Sequence, residues 1–495
     1  MRHFELVIIG TGPAGQKAAI QAAKLGKSVA IIEKNRVLGG VAVNTGTIPS
    51  KALREAVMHL TGANMRGLMG QSYRVKRNIT LQDLIAVSQE VIHREWSTIE
   101  DAFERNGVEL IWGTAHFEGP NLLMVQNQGE GTMITADHFL IAIGTRPARP
   151  KSVPFDESVI LTSDELLRLD NLPRSMIVVG GGVVGTEYAC MMSTLGINVT
   201  LIEGRNYVLG FLDNEIAEAF QYHMRRGGLT LRLGEKVESI RRLCDGGPKS
   251  MRVEAMLESG KKIQAESLLY AIGRQGMCSL LSLENVGLEY DDRERLKVNA
   301  DYQTPVPHIY AAGDVIGFPA LASTAMEQGR LAVCHMFGQP TQSLPHLFPF
   351  GIYAVPEISM VGKTEEQLTK EAVPYEAGIA HYDEIARGQL LGDHTGMLKL
   401  LIHQQTHEIL GVHIIGTGAT ELIHIGQAVM AFNGKVEFLI NSVFNYPTLA
   451  EAYKVAALNG YNKLRHFAAA AEQARAQTPA PAPETQTMAQ AKAAA

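Results

Sequence analysis

The sequence predicts an α/β fold containing two Rossmann-like dinucleotide-binding domains, and three observations carry that prediction. A Gly-x-Gly-x-x-Gly turn occurs twice, at Gly10-Thr11-Gly12-Pro13-Ala14-Gly15 and at Gly180-Gly181-Gly182-Val183-Val184-Gly185. Each turn joins a short apolar run to a helix-forming stretch, and in both copies an acidic residue, Glu33 or Glu203, follows the third glycine by 18 residues. With 495 residues the chain also has room for a third domain of ordinary size. One such fingerprint is weak evidence, but two in register leave a ligand-free glycine turn as a poor account of the pattern.

The first unit opens with Leu6-Val7-Ile8-Ile9, a continuous apolar run of the kind buried in a parallel sheet, and continues as an Ala-rich helix to Lys24. Ser28-Val29-Ala30-Ile31-Ile32 is the next strand, closed by Glu33. The three glycines serve a tight turn (Gly10), close approach of backbone to a pyrophosphate (Gly12) and helix–strand packing (Gly15). The helix N-terminus offers N–H groups to the phosphates and the acid accepts from ribose hydroxyls. Met176-Ile177-Val178-Val179 leads into the second copy, with Gly180, Gly182 and Gly185 in the same tasks and Glu203 ending its second strand. Glu203 favours the free 2′-hydroxyl of NAD and repels a 2′-phosphate. Arg205 is either a partner for that phosphate, admitting NADP as well as NAD, or a solvated surface charge.

The remaining elements follow in order. Residues 60–106 read as largely helical, with Trp96 and Phe103, seven apart, matching core packing. Leu140-Ile141-Ala142-Ile143-Gly144-Thr145 and Leu269-Tyr270-Ala271-Ile272-Gly273 each read as a strand and glycine turn, and Ile309-Tyr310-Ala311-Ala312-Gly313-Asp314 ends a further strand. His424 lies on an apolar helix pattern and reads as a satisfied core or interface histidine rather than a catalytic one. After about Phe467 the chain turns to Ala, Gln and Pro, too poor in large apolar residues to pack, so 467–495 is expected to be a disordered tail.

Composition narrows the function. A net charge of -6 with scattered Lys and Arg gives no footprint for nucleic acid or an anionic membrane, so the expected partner is a small molecule. No apolar run is long enough to span a bilayer and no leader precedes the first strand, which points to a cytoplasmic protein. Cys190, Cys244, Cys278 and Cys334 are at least 34 residues apart, and neither they nor the 16 histidines show metal-ligand spacing, so no metal site is expected.

Taken in series, these motifs resemble the flavoprotein disulfide reductases over about residues 4–465. The resemblance implies FAD at the first fingerprint and a nicotinamide nucleotide at the second. It divides the chain into a discontinuous FAD-binding domain (1–150 and 271–345), an NAD(P)-binding domain (151–270) and a C-terminal α+β dimerisation domain (346–466). Tyr353-Ala354-Val355-Pro356-Glu357 looks like the start of that last domain, so a homodimer or larger homo-oligomer is expected. By carry-over, FAD is held by Gly10, Gly12, Gly15, Glu33, Lys34, Gly39, Gly40, Lys51, Ala115 and Thr145, by Asp314 on a ribityl hydroxyl, and by the backbone at Ala322. The nicotinamide nucleotide is held by Gly180, Gly182, Gly185, Glu187, Glu203, Arg205 and Gly273.

The departures from the family pattern carry the functional expectation. Gly39-Gly40-Val41-Ala42-Val43-Asn44-Thr45-Gly46-Thr47-Ile48-Pro49-Ser50-Lys51 resembles the redox-active helix, but its two cysteine positions are Ala42 and Thr47, which form neither thiolate nor disulfide. Phe444-Asn445-Tyr446-Pro447-Thr448 resembles the signature whose histidine serves the dithiol, and here Tyr446 replaces it. Phenols ordinarily titrate near ~10 and are poor proton shuttles at neutral pH. Lys51 and Glu187 match the family's catalytic ion pair beside the flavin N5, where the cation stabilises negative charge on the reduced ring. The resemblance therefore implies reversible, ping-pong hydride transfer between NADPH and NAD through FAD, without a disulfide. A diaphorase or quinone reductase, and a flavoprotein with a binding or assembly role, stay open on the sequence.

Overall fold

The computed structural model describes residues 2–70, 72–169, 171–244, 251–341 and 347–477. Two mainly parallel sheets, a three-stranded and a five-stranded antiparallel sheet and a two-stranded ladder organise the described residues. In the first, Arg2–Ile9 lies between Val29–Glu33 and Glu130–Ile141, all parallel, with Glu109–Trp112 beyond Val29–Glu33. Leu122–Asn127 and Thr114–Gly119 extend the other edge antiparallel. Far along the chain, Ile309–Ala311 returns to pair in parallel with Glu130–Ile141. Leu6, Val7 and Ile8 have no exposed surface, which is why an unbroken apolar run suits a strand covered on both faces.

The second sheet is five-stranded and parallel, with Ser175–Val179 between Asn198–Glu203 and Ser267–Tyr270. A three-stranded antiparallel sheet, Val237–Cys244, Met251–Leu257 and Lys262–Ala265, packs beside it. The two chain crossovers between the sheets meet as a short ladder of Arg146–Pro147 against Arg274–Gln275. The C-terminal part is a five-stranded antiparallel sheet, from Phe350–Ile352 to Tyr375–His381, covered by the helices Ala419–Ala431 and Glu451–Gln477. Among the described residues, no helix is long and apolar enough to cross a membrane.

Residues 60–106 are largely helical, as expected, in separate segments: Gly62 (φ 65°) ends the helix Thr47–Thr61, Gly70 (φ 90°) ends a short turn of helix, and the long helix Leu81–Arg105 starts afresh. Its start is a capping box in which the Thr80 hydroxyl accepts from the Asp83 amide and the Asp83 carboxylate accepts from the Thr80 amide. The terminal helix does not stop near Phe467 but continues to Gln477, because the alanines after Phe467 have the highest helix propensity and extend a helix already nucleated by packing. The rest of the expected tail, 478–495, lies outside the described residues. Phe103 is buried, and Trp96 packs beside it while its indole N–H donates to Asn44 Oδ1 at 2.9 Å.

Candidate active site

Both glycine turns are fixed by sterics at their ends and open in the middle. A Cβ on Gly10 would meet the Ala142 carbonyl oxygen at 2.5 Å, and one on Gly15 the Gly10 oxygen at 2.0 Å, whereas Gly12 has nothing within 4 Å. The second turn repeats this: Gly180 and Gly185 would clash with the oxygens of Ala271 and Gly180 at 2.7 and 1.9 Å, and Gly182 faces open space. Neither following helix, Pro13–Lys24 or Val183–Thr194, has a side-chain cap at its N-terminus, so its first-turn N–H groups stand available to an anion.

The two strand-end acids bind their own turns. Glu33 accepts from the Thr11 amide (3.2 Å) and hydroxyl (2.6 Å), and Glu203 accepts from the Gly181 amide at 2.7 Å. Glu203 also takes Nε and Nη2 of Arg205 at 2.9 and 3.2 Å. Burial pushes the Glu203 carboxyl up, but Arg205 and the two amides outweigh it and hold the carboxyl below its ordinary range. Arg205 is thus neither free in solvent nor committed to a phosphate: its side chain, 59% exposed, rests on Glu203.

A cavity of about 360 Å³ lies beside the first turn. Of the residues expected at FAD, Gly10, Gly12, Glu33, Lys34, Gly40, Ala115, Thr145, Asp314 and Ala322 line it, whereas Gly15, Gly39 and Lys51 do not. Gly15 and Gly39 act through packing, Gly39 by donating its N–H to the Thr11 hydroxyl at 3.2 Å. The cavity joins two helix starts without side-chain caps, at Pro13 and Ala322, to apolar walls such as Ile9 and Val41. Thr45, also on its wall, has a buried Oγ1 beside Asp164. Anion-binding amides, a ribose-end carboxylate and apolar walls fit a flavin dinucleotide.

Sequence reasoning did not single out the side chains that brace this cavity. Arg274 donates to Thr145 Oγ1 and to the Thr145 carbonyl, both at 2.7 Å, while Thr145 Oγ1 donates to Asp314 Oδ2 at 3.2 Å. Gln328 accepts from the Gly313 amide at 2.9 Å, presenting Asp314 to the cavity. Asp164 lines the same wall, its carboxyl pushed up by burial. The one available signal was Arg274 directly after the Gly273 turn.

Lys51 and Glu187, 136 residues apart, meet where the helix Thr47–Thr61 contacts the helix Val183–Thr194. Lys51 Nζ lies 2.8 and 3.0 Å from the Glu187 oxygens, with side chains 26% and 5% exposed. The Tyr353 amide donates to Glu187 Oε1 at 2.8 Å, and the Tyr353 ring lies 4.8 Å from Lys51 Nζ. This third contact, from the C-terminal part, was also absent from the sequence reading. Ala42 and Thr47 line the cavity, Thr47 one helical turn before Lys51, so neither position offers a thiol. Of the cysteines, Cys190, Cys278 and Cys334 are buried free thiols, and burial pushes the first two up to about 12, far from thiolate formation. Tyr446 is 75% exposed and His424 is exposed, so His424 is not a core histidine within the chain.

Comparison with known proteins gives concordant matches. Residues 4–329 match the family model described as pyridine nucleotide-disulphide oxidoreductase, and 348–457 match its dimerisation domain. A soluble pyridine nucleotide transhydrogenase of Mycobacterium bovis (strain BCG / Pasteur 1173P2) is 54% identical over 94% of this chain and 98% of its own length. One from Vibrio parahaemolyticus is 45% identical over 94% and 99%. Among solved structures, LpdA from Mycobacterium tuberculosis is similar with a TM-score of 0.84 at 26% identity, covering 92% of this chain and 99% of that one. The HOCl-induced flavoprotein disulfide reductase RclA from Escherichia coli matches with a TM-score of 0.81 at 26% identity, over 92% and 99%.

Proposed function

Because the chain belongs to the pyridine nucleotide-disulphide oxidoreductase family, we propose that it is an FAD-dependent enzyme that exchanges hydride reversibly between NADPH and NAD at one nucleotide site, without a redox disulfide. The observation that carries the reading is a Lys51–Glu187 pair held at 2.8 Å beside a cavity whose cysteine positions are Ala42 and Thr47. The names of the relatives support it. When bound, FAD supplies the two-electron carrier between the nucleotides.

The residues divide the work. Gly182 and the first turn of Val183–Thr194 receive the pyrophosphate; Glu203 takes ribose hydroxyls of NAD; and Arg205 swings from Glu203 to the 2′-phosphate of NADP. Breaking the exposed part of the Arg205–Glu203 pair costs little, so both nucleotides are admitted. Glu187 holds Lys51, whose ammonium stabilises the negative charge that arrives with hydride, and the Tyr353 amide fixes Glu187 in turn. Phe432, Phe438, Val443 and Tyr446 are exposed on the C-terminal part and supply an apolar face for a homodimer. Mixing NADPH-treated holoenzyme with NAD under anaerobic conditions, followed at the flavin band, should restore the oxidised spectrum. Persistence of the bleached spectrum would falsify the proposal.

A further inference from the structure

Three phenylalanines from distant parts of the chain converge outside the flavin cavity. The ring of Phe350 lies 5.6 Å from that of Phe211 and 6.1 Å from that of Phe318, tilted by 44° and 32°. Two of the rings reach water, Phe211 at 40% exposure and Phe318 at 78%.

Each ring is tied to a different part of the site. Phe211 follows Leu209, whose amide donates to the Gly181 carbonyl at 2.8 Å, and Gly210, where a Cβ would lie 3.3 Å from Arg205 Nη1. Phe350 opens the strand Phe350–Ile352, directly followed by Tyr353, whose amide holds Glu187. Phe318 stands between Asp314 and Ala322, both on the flavin cavity wall. The trio links the Arg205–Glu203 end of the site to the Lys51–Glu187 end, so a nucleotide reaching from one to the other passes these rings.

We propose that Phe211, Phe318 and Phe350 form an aromatic ledge for the nicotinamide half of the nucleotide, and that the ledge holds the oxidised, cationic ring more tightly than the reduced, neutral one. The inference rests on the nucleotide-exchange reading above. Planar rings stack on aromatic faces in offset or tilted arrangements, and the negative face of phenylalanine attracts a cation. Oxidised nicotinamide carries a formal positive charge; the dihydro form and quinones do not. The ledge thereby sets which redox form of the nucleotide lingers, in addition to which nucleotide enters.

Phe318 is the position to test, since its exposure makes folding insensitive to substitution. Calorimetric titration of oxidised holoenzyme with the oxidised nucleotides involves no reaction and reads binding directly, and the KM for NADPH reads the reduced form. In Phe318→Leu, which keeps an apolar side chain without a ring face, binding of oxidised NADP and NAD should weaken about three- to tenfold. The KM for NADPH should move less than about twofold. Equal weakening of both redox forms, no change in either, or a loss confined to quinone reduction would each overturn the ledge. The exchange reading stands or falls separately on the flavin-band experiment with unaltered protein.

Discussion

Lys51 and Glu187 sit so close to buried that neither tolerates loss of the other. Lys51→Met leaves the Glu187 carboxylate, 5% exposed, without its cation, so the variant should bind FAD yet lose about 10²- to 10³-fold in kcat. Absorbance of the purified protein and steady-state rates check both halves of that statement. Arg205→Ala should raise the KM for NADPH roughly tenfold, the worth of one charge-assisted hydrogen bond, and leave that for NADH nearly unchanged. At this scale the sequence was legible where a residue type is dictated by local sterics or by place in a motif, as at Gly10, Gly185, Lys51 and Glu187. It was silent on Thr45, Asp164 and Tyr353, and for Arg274 the only sign was its place after the Gly273 turn, because an arginine bracing Thr145 from 129 residues away leaves no pattern of its own.

The elements repeat the same division. Gly185→Ala would set a methyl 1.9 Å from the Gly180 oxygen and force the helix Val183–Thr194 off its turn. Overpacking of this kind costs about 1–3 kcal/mol, and the displaced amides should lose nucleotide affinity in the same variant, visible as a lower Tm together with weaker binding in titration. The strands and the two turn-helix units were readable because glycine sterics and apolar runs are local. The stretch after Leu60 is largely helical as read, but its breaks were not legible, although two positive-φ glycines, Gly62 and Gly70, end its segments. The tail was expected to lose order from about Phe467, ten residues before the helix ends at Gln477, since composition that cannot pack a core still propagates a helix.

For the molecule as a whole, the second parallel sheet and the C-terminal one share an apolar cluster that includes Val178, Met191, Ile358 and Met397, and beside it an ionic contact unannounced in the sequence. Lys399, with no exposed side-chain surface, reaches Asp213 and Glu215 at 2.8 Å and also pairs with Glu365. His413, 1% exposed, lies beside this cluster with Nε2 3.0 Å from the Lys363 carbonyl oxygen. Burial holds its imidazole below the ordinary value, and nearby Lys399 adds to this against the opposing pull of Asp213. The unfolded chain takes up that proton at about pH 6.5 while the folded chain does not, so stability falls as pH drops through and below this value. Thermal melts of wild type and His413→Gln between pH 7.5 and 5.5 should show a shallower decline in the variant. Replacing Lys399 by Met strands Asp213 without its cation and should cost about 3–5 kcal/mol, read by denaturant unfolding.

The alanine and threonine standing in place of two sulfurs also shape the traffic through the proposed enzyme. A protein with a thiol exit has an entrance and a separate way out; this one has a single doorway, and a visitor that overstays keeps the next one waiting. Each nucleotide in excess should therefore jam the other, so the rate against NADPH at fixed low NAD should rise, peak and fall, with the peak moving upward as NAD is raised. A rate that climbs to a plateau without a peak would mean that the molecule has a second door.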